Sequence, residues 1–188
     1  MGNSGSGKST LAAALAARLG VPYVELDAIF HLPGWVELPR DEFRARVEAL
    51  AAGEEWVIDG NYTAVRDLVW ARADTVVWLD LPRPLVMRRV IGRTFRRAVL
   101  RQELWNGNRE PASNWLTLDP ERSIIMWAWS QHAKYRARYG AAMADPLCAH
   151  LRFYRLRRPA EVRTFLRNPP IVRKEESSDT VSKPEVSE

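Results

Sequence analysis

Near the start of the chain stands the stretch GNSGSGKST, Gly2 to Thr10, which fits the template G-x-x-x-x-G-K-[ST] with Gly2 and Gly7 at the glycines, Lys8 at the lysine and Ser9 at the hydroxyl. No other feature restricts the fold so strongly. A loop of this kind joins a buried strand to a helix. Its glycines let successive backbone N–H groups turn inward around an anion, and the helix adds its positive N-terminus. The alternative is a flexible Gly/Ser terminus that matches by accident. The residues that follow favour the loop, because Leu11, Leu15 and Leu19 recur every four positions among alanines and stop at Gly20, the pattern of a helix closed by a glycine.

Read this way, Gly2, Asn3, Ser4, Gly5, Ser6, Gly7, Lys8, Ser9 and Thr10 form a nucleotide phosphate cradle. Lys8 would reach the β- and γ-phosphates, and the Ser9 hydroxyl would ligate Mg²⁺. The strand that should precede the loop is missing, since only Met1 stands ahead of Gly2. A sheet without its centre leaves the backbone groups of both neighbours unpaired. The expectation is a start placed too late, with roughly five to ten further apolar residues ahead of Met1, the length of an ordinary strand.

Strand and helix patterns alternate along the rest of the chain. PYVELD (22–27), WVIDG (56–60), TVVWLDLP (75–82) and LRFYRL (151–156) read as strands, and RDEFRARVEALAAG (40–53), YTAVRDLVWARA (62–73), SIIMWAWSQHAKYRARYGAAMA (123–144) and PAEVRTFL (159–166) as helices. The order predicts an α/β fold with a parallel sheet covered on both faces. At 188 residues and 46% apolar content, with 8 Trp, the chain suits one domain over 1–168, and the polar, Pro/Ser/Glu-rich stretch 169–188 reads as a disordered tail. A single cysteine, Cys148, and no signal-like segment point to a cytoplasmic protein, and Arg or Asp interrupts every apolar run short of a membrane span.

The sequence pI is about 9.7, and the basic excess is concentrated: residues 83–109 hold eight arginines against Glu103. Arg89, Arg93, Arg97 and Arg101 repeat every four residues, with Ile91, Phe95 and Val99 on the opposite side of the same helix. Like charges at i, i+4 destabilise a helix by a few tenths of a kcal/mol per pair, so this face calls for an anion, either a triphosphate or nucleic-acid phosphate. Gly92 within it is either a hinge or a tolerated glycine. ELWNGNRE (103–110) reads as part of a lid spanning about 92–115.

Two carboxylates fall at expected strand ends. Asp59 closes WVIDG, where open α/β sheets bind ligands, and would hold Mg²⁺ through water or cap the next helix. Asp27 closes YVELD and would orient or deprotonate an acceptor hydroxyl, or cap a turn. His31 reads as packing or surface, and Trp127, Trp129 and Tyr135 as core.

From Met1 to about Leu166 the chain resembles the P-loop nucleotide-kinase group, and within it the adenylate-kinase-related proteins labelled DNA topology modulation protein. The resemblance rests on GNSGSGKST, ELDAIFHLPGW, WVIDGNYTAVRDLVW, VVWLDLP with the Arg helix, and ELWNGNRE. It implies a five-stranded parallel sheet of order 2-3-1-4-5, ATP on the loop and a mobile lid. By position it implies Lys8 and Ser9 as phosphate and Mg²⁺ contacts, Asp59 as the strand-end acid, and Arg93 and Arg97 as lid arginines. DGNYTAVR stands where adenylate kinases carry D-G-F-P-R, so Asn61, Tyr62 and Arg66 would face an acceptor that need not be AMP. The leading expectation is an Mg²⁺-ATP phosphotransferase with a small-molecule acceptor. The competing classes are a nucleic-acid-associated ATPase, whose DNA binding would fall steeply with salt, and a nucleotide-binding protein with little turnover.

Overall fold

The computed structural model describes residues 1–100, 102–109 and 123–170. Arg101 of the cationic repeat, the far end of the expected lid and the tail from 171 onward lie outside those residues.

Helix α1 (Lys8–Leu19) begins directly after Gly7, whose left-handed φ of 92° turns the chain out of the loop, and ends at Gly20 with its N–H bonded to Ala16 O. Strand β1 (Tyr23–Glu25) is followed at once by the short helix α2 (Leu26–Phe30). Then come α3 (Arg40–Ala51), β2 (Val57–Asp59), α4 (Arg66–Arg72), β3 (Thr75–Leu79), α5 (Arg83–Val99), α6 (Ile124–Met143), β4 (Arg152–Leu156) and α7 (Pro159–Arg167). The alternation is the expected α/β one, and no described helix is long and apolar enough to cross a membrane.

The strands form two parallel pairs. β1 lies beside β2 with Tyr23 opposite Val57 and Glu25 opposite Asp59, and β3 lies beside β4 with Thr75 opposite Arg152 and Leu79 opposite Leu156. Among the described residues no strand joins the pairs into one five-stranded sheet. Met1–Gly2 lies beside β3, with Gly2 bridged in parallel to Leu79, the Met1 amino group donating to Val77 O at 2.8 Å and Leu79 N donating to Met1 O at 3.0 Å.

Side chains alternate across the strands and find helices on either face. Val76 and Trp78 pack with Phe43, Val47, Val69, Trp70 and Tyr139 from α3, α4 and α6. Leu79 and Leu156 pack with Leu11, Leu15 and Phe165 from α1 and α7. Asp80, just past β3, is buried and bonded by Arg155 at 2.6 Å and Arg136 at 2.8 Å, while the Arg155 guanidinium lies 4.3 Å from the Trp78 ring centre. A buried carboxylate with two guanidinium partners is compensated, and it braces β3, β4 and α6 together.

Three local expectations are corrected. Asp27 does not end a strand: β1 stops at Glu25, level with the end of β2, and Leu26 turns inward at 2% exposure to open α2. The buried line of α5 is Val86, Val90 and Thr94 rather than Ile91, Phe95 and Val99, and Phe95 is 65% exposed. Trp129 is 51% exposed with Arg83 over its ring, whereas Tyr135 is core and Trp127 packs against it.

Candidate functional site

The loop from Gly2 to Gly7 is held from several sides. Asn3 is buried; its Nδ2 donates to Ala128 O at 2.7 Å, and its Oδ1 accepts from Ser4 N at 2.8 Å. Ser6 N closes the turn onto Asn3 O at 3.1 Å. Gly5 must be glycine on two counts: its φ is +76°, and a Cβ there would lie 2.4 Å from Val90 Cγ2 and 3.0 Å from Val86 O. Helix α5 can therefore press directly onto the loop. It does so with cations, Arg89 donating to Ser6 O at 3.0 Å and Arg93 to Ser4 Oγ at 2.7 Å. Arg97 lies one turn further along the same face.

This arrangement suits an anion. Gly7 caps α1 without a side-chain hydrogen bond, so the first N–H groups of the helix keep their capacity for a ligand. The Ser6 Oγ is buried and has no partner among the described residues. Lys8 and Ser9 occupy the first turn of α1, both half-buried, and Thr10 is exposed. Lys8 shares the space below the loop with Asp59, which is 3% exposed at the end of β2. The Tyr23 phenol is pushed up by burial and by the carboxylates of Asp59, Glu25 and Asp27, with Ser9 beside it acting the other way. Among the described residues no group of three or more His, Cys, Asp or Glu side chains gathers to hold a metal on its own. The Ser9 hydroxyl and the Asp59 carboxylate are oxygen donors of the kind Mg²⁺ takes.

Asp27 and Tyr62 meet: the Tyr62 hydroxyl donates to Asp27 Oδ1 at 2.7 Å and lies 3.3 Å from His31 Nε2. Burial, then the neighbouring carboxylate of Asp27, push the phenol well up, so it keeps its proton and remains a donor. That single proton is committed to Asp27. The contact with His31 therefore has the imidazole as donor, which leaves His31 Nδ1 as a buried nitrogen without a partner among the described residues.

Asn61 is engaged elsewhere. Its amide pairs with both the N–H and the C=O of Gly2, standing in for a strand neighbour, and its Oδ1 also accepts from Tyr139 at 3.1 Å. The asparagine steadies the loop rather than standing open toward an acceptor. Arg66 lies over the Trp70 ring at 5.5 Å.

The segment 104–109 closes over α2 and the turn after it. Asn106 Nδ2 donates to His31 O at 2.6 Å and to Ala28 O at 3.1 Å, while Asn108 bonds Leu32 O through Nδ2 and Trp35 N through Oδ1, both at 2.9 Å. Trp105 stacks on His31 with ring centres 6.0 Å apart. Trp35 holds a left-handed φ of 59°, strained for an aromatic residue, and its indole N–H donates to Arg109 O at 3.0 Å. The asparagine pair of N-G-N, spaced to read one backbone segment, is the signal in the sequence for this clasp.

No family model matches the chain, and no curated protein does. Among solved structures it is similar to the crystal structure of a gluconokinase from Sinorhizobium meliloti 1021, at 20% identity over 89% of each chain with a TM-score of 0.46. A likeness at that level says nothing of substrate or reaction, and the label concerning DNA topology gains no support from it.

Proposed function

We propose that this chain is a cytoplasmic P-loop kinase, an Mg²⁺- and ATP-dependent phosphotransferase acting on a small-molecule or nucleotide acceptor. The observation that carries the reading is the loop itself: an uncapped helix N-terminus opened by left-handed Gly7, lined by Ser4 and Ser6, and faced by Arg89 and Arg93 from α5. Both arginines bond to the loop, which favours phosphates bound there over phosphates of a nucleic acid tracked along the helix. The two parallel pairs flanking Met1–Gly2 fit the order 2-3-1-4-5 with the first strand's place at the centre. Residues from about 92 to 115 would serve as the lid.

In this reading the amides from Gly2 to Thr10 and the Lys8 ammonium would hold the β- and γ-phosphates, and Arg93 and Arg97 would stabilise the negative charge that develops on the phosphate oxygens as the γ-phosphoryl group moves in line. Ser9 and Asp59 would hold Mg²⁺, which would neutralise phosphate oxygens when bound. Asp27, fixed by Tyr62, accepts the proton of the attacking acceptor hydroxyl. Tyr62 itself and Arg66 border the acceptor.

The test is transfer of labelled γ-phosphate from ATP to a pooled panel of nucleotides, nucleosides and hydroxyl metabolites, with Lys8→Ala as the blank. A labelled acceptor that vanishes in the blank is the expected result. Release of free phosphate alone, stimulated by DNA, would instead make the protein a nucleic-acid-associated ATPase, and nucleotide binding without turnover would make it a binding protein.

A further inference from the structure

His31 stands four residues after Asp27, and its N–H closes the last turn of α2 on Asp27 O at 3.1 Å. Residues at that spacing lie on the same side of a helix, so imidazole and carboxylate are neighbours. Both reach the Tyr62 hydroxyl, Asp27 Oδ1 at 2.7 Å and His31 Nε2 at 3.3 Å. The imidazole is enclosed by rings as well. Phe30 and Trp35 meet it edge-on with ring centres 5.1 and 5.3 Å away, and Trp105 stacks on it. Asn106, 75 residues further along the chain, holds the His31 carbonyl at 2.6 Å. Tyr62 is wedged in turn against Phe30 and Phe43, at 4.7 and 5.2 Å.

The direction of the bonds decides what this contact does. Tyr62 gives its one proton to the carboxylate and the imidazole gives its own through Nε2, so the three groups form a chain running from His31 through Tyr62 to Asp27. In such a chain each bond polarises the next, and a phenol oxygen that accepts a hydrogen bond donates a stronger one. A carboxylate held by a stronger donor is favoured in its charged form, the form that takes a proton from a hydroxyl. Glu37 and Tyr135, the other titratable groups that act on the phenol, do so by charge rather than by a bond.

We propose that His31 is a positioning residue of the acceptor site: its Nε2–H holds the Tyr62 hydroxyl on Asp27, and Trp105 and Asn106 hold the imidazole in the pose that allows this. The residue acts through Tyr62 and Asp27 rather than on the acceptor. Nδ1, buried and without a partner among the described residues, is the nitrogen that carries no proton. The catalytic consequence rests on the phosphotransferase reading, with Asp27 as the base; the chain of hydrogen bonds does not.

That chain is read without any activity, by NMR of the imidazole nitrogens and their protons at neutral pH. A slowly exchanging His31 Nε2–H beside a bare Nδ1 is expected, and Tyr62→Phe should speed its exchange roughly tenfold or more. A proton on Nδ1, or a signal indifferent to Tyr62→Phe, would overturn the proposal. Kinetics then read the positioning. His31→Phe keeps a ring for Trp105 but has no donor, and should lower kcat/KM for the acceptor roughly fivefold with kcat/KM for ATP little changed. It should also move the acid limb of the acceptor pH profile upward by about half a unit, because a carboxylate less well held takes its proton at higher pH. His31→Gln, whose amide N–H reaches toward the same place, should restore most of both. The double variant His31→Phe/Tyr62→Phe should be no slower than Tyr62→Phe alone, since the first change acts only through the second residue. Additive losses, or an unmoved acid limb, would overturn the proposal. A wild-type chain that transfers no phosphate would remove the catalytic role together with the phosphotransferase reading, and the imidazole signal would still decide the chain of bonds.

Discussion

Arg93 donates a hydrogen bond to the Ser4 hydroxyl at 2.7 Å, joining the middle of α5 to the turn of the glycine loop. Those residues are 89 apart in sequence, so the contact makes the cationic helix a wall of the glycine loop, the proposed phosphate site. Replacing Arg93 by Ala should lower kcat for phosphoryl transfer by roughly 10²–10³-fold, with a much smaller change in ATP affinity, as for a group whose partner charge grows in the transition state. Arg93→Lys should restore part of the rate, and steady-state kinetics of the two variants read the difference. Equal loss in kcat and in ATP binding would make Arg93 a ground-state contact.

The two glycines under α5 and within it should respond in opposite directions. Gly5→Ala places a Cβ 2.4 Å from Val90 Cγ2 at a φ of +76°, and should destabilise by about 2–4 kcal/mol. Gly92→Ala meets nothing within 4 Å inside a helix, and should stabilise by about 1 kcal/mol. Urea unfolding of both variants checks the pair. A stable but slow Gly92→Ala enzyme would identify the hinge that the glycine allows.

The buried amino terminus gives a pH dependence with a definite sign. Its pKa falls from 8.0 to about 6 on folding, chiefly through burial, so between those values the unfolded chain binds more protons than the folded one. Stability contributed by this group is lost as pH falls from 8 to 6, by about 2–3 kcal/mol over the full interval at 1.36 kcal/mol per pKa unit. Unfolding of the Met1-retaining chain at pH 6 and 8 should show the loss. N-terminal acetylation should remove most of the difference.

Tyr62 holds Asp27 through one hydroxyl, and its raised pKa keeps that hydroxyl protonated through the working range. Tyr62→Phe should cost about 1 kcal/mol of stability and roughly tenfold in kcat/KM for the acceptor, with kcat/KM for ATP little changed. A stability loss with unchanged acceptor kinetics would make Tyr62 a packing residue.

Much of the fold was legible because its periodicities are simple. The Leu11, Leu15, Leu19 spacing gave α1, and the apolar run in TVVWL gave β3. Asp27 was misplaced by a few residues for a reason periodicity does not reveal. β1 ends where its partner β2 ends, and that register is a tertiary fact. The buried line of α5 was missed because Val86, Val90 and Thr94 make a weaker pattern than Ile91, Phe95 and Val99, and only the neighbouring loop and α6 decide which line is covered. In the candidate site, the loop glycines announced themselves by spacing. Asn61 was read as facing an acceptor, and its contact with the Gly2 backbone was not legible, since a side-chain amide doing the work of a strand neighbour depends on how the loop and the β2 end meet.

The most direct test of the central claim, that Gly2 to Thr10 is a nucleotide phosphate site, is calorimetric titration of Mg²⁺-ATP into the wild-type chain and into Lys8→Ala. The account predicts one site per chain, weakened roughly 10²-fold or more in the variant, a loss of about 3 kcal/mol. Equal affinity in the two proteins, or no binding to the wild-type chain, would contradict it.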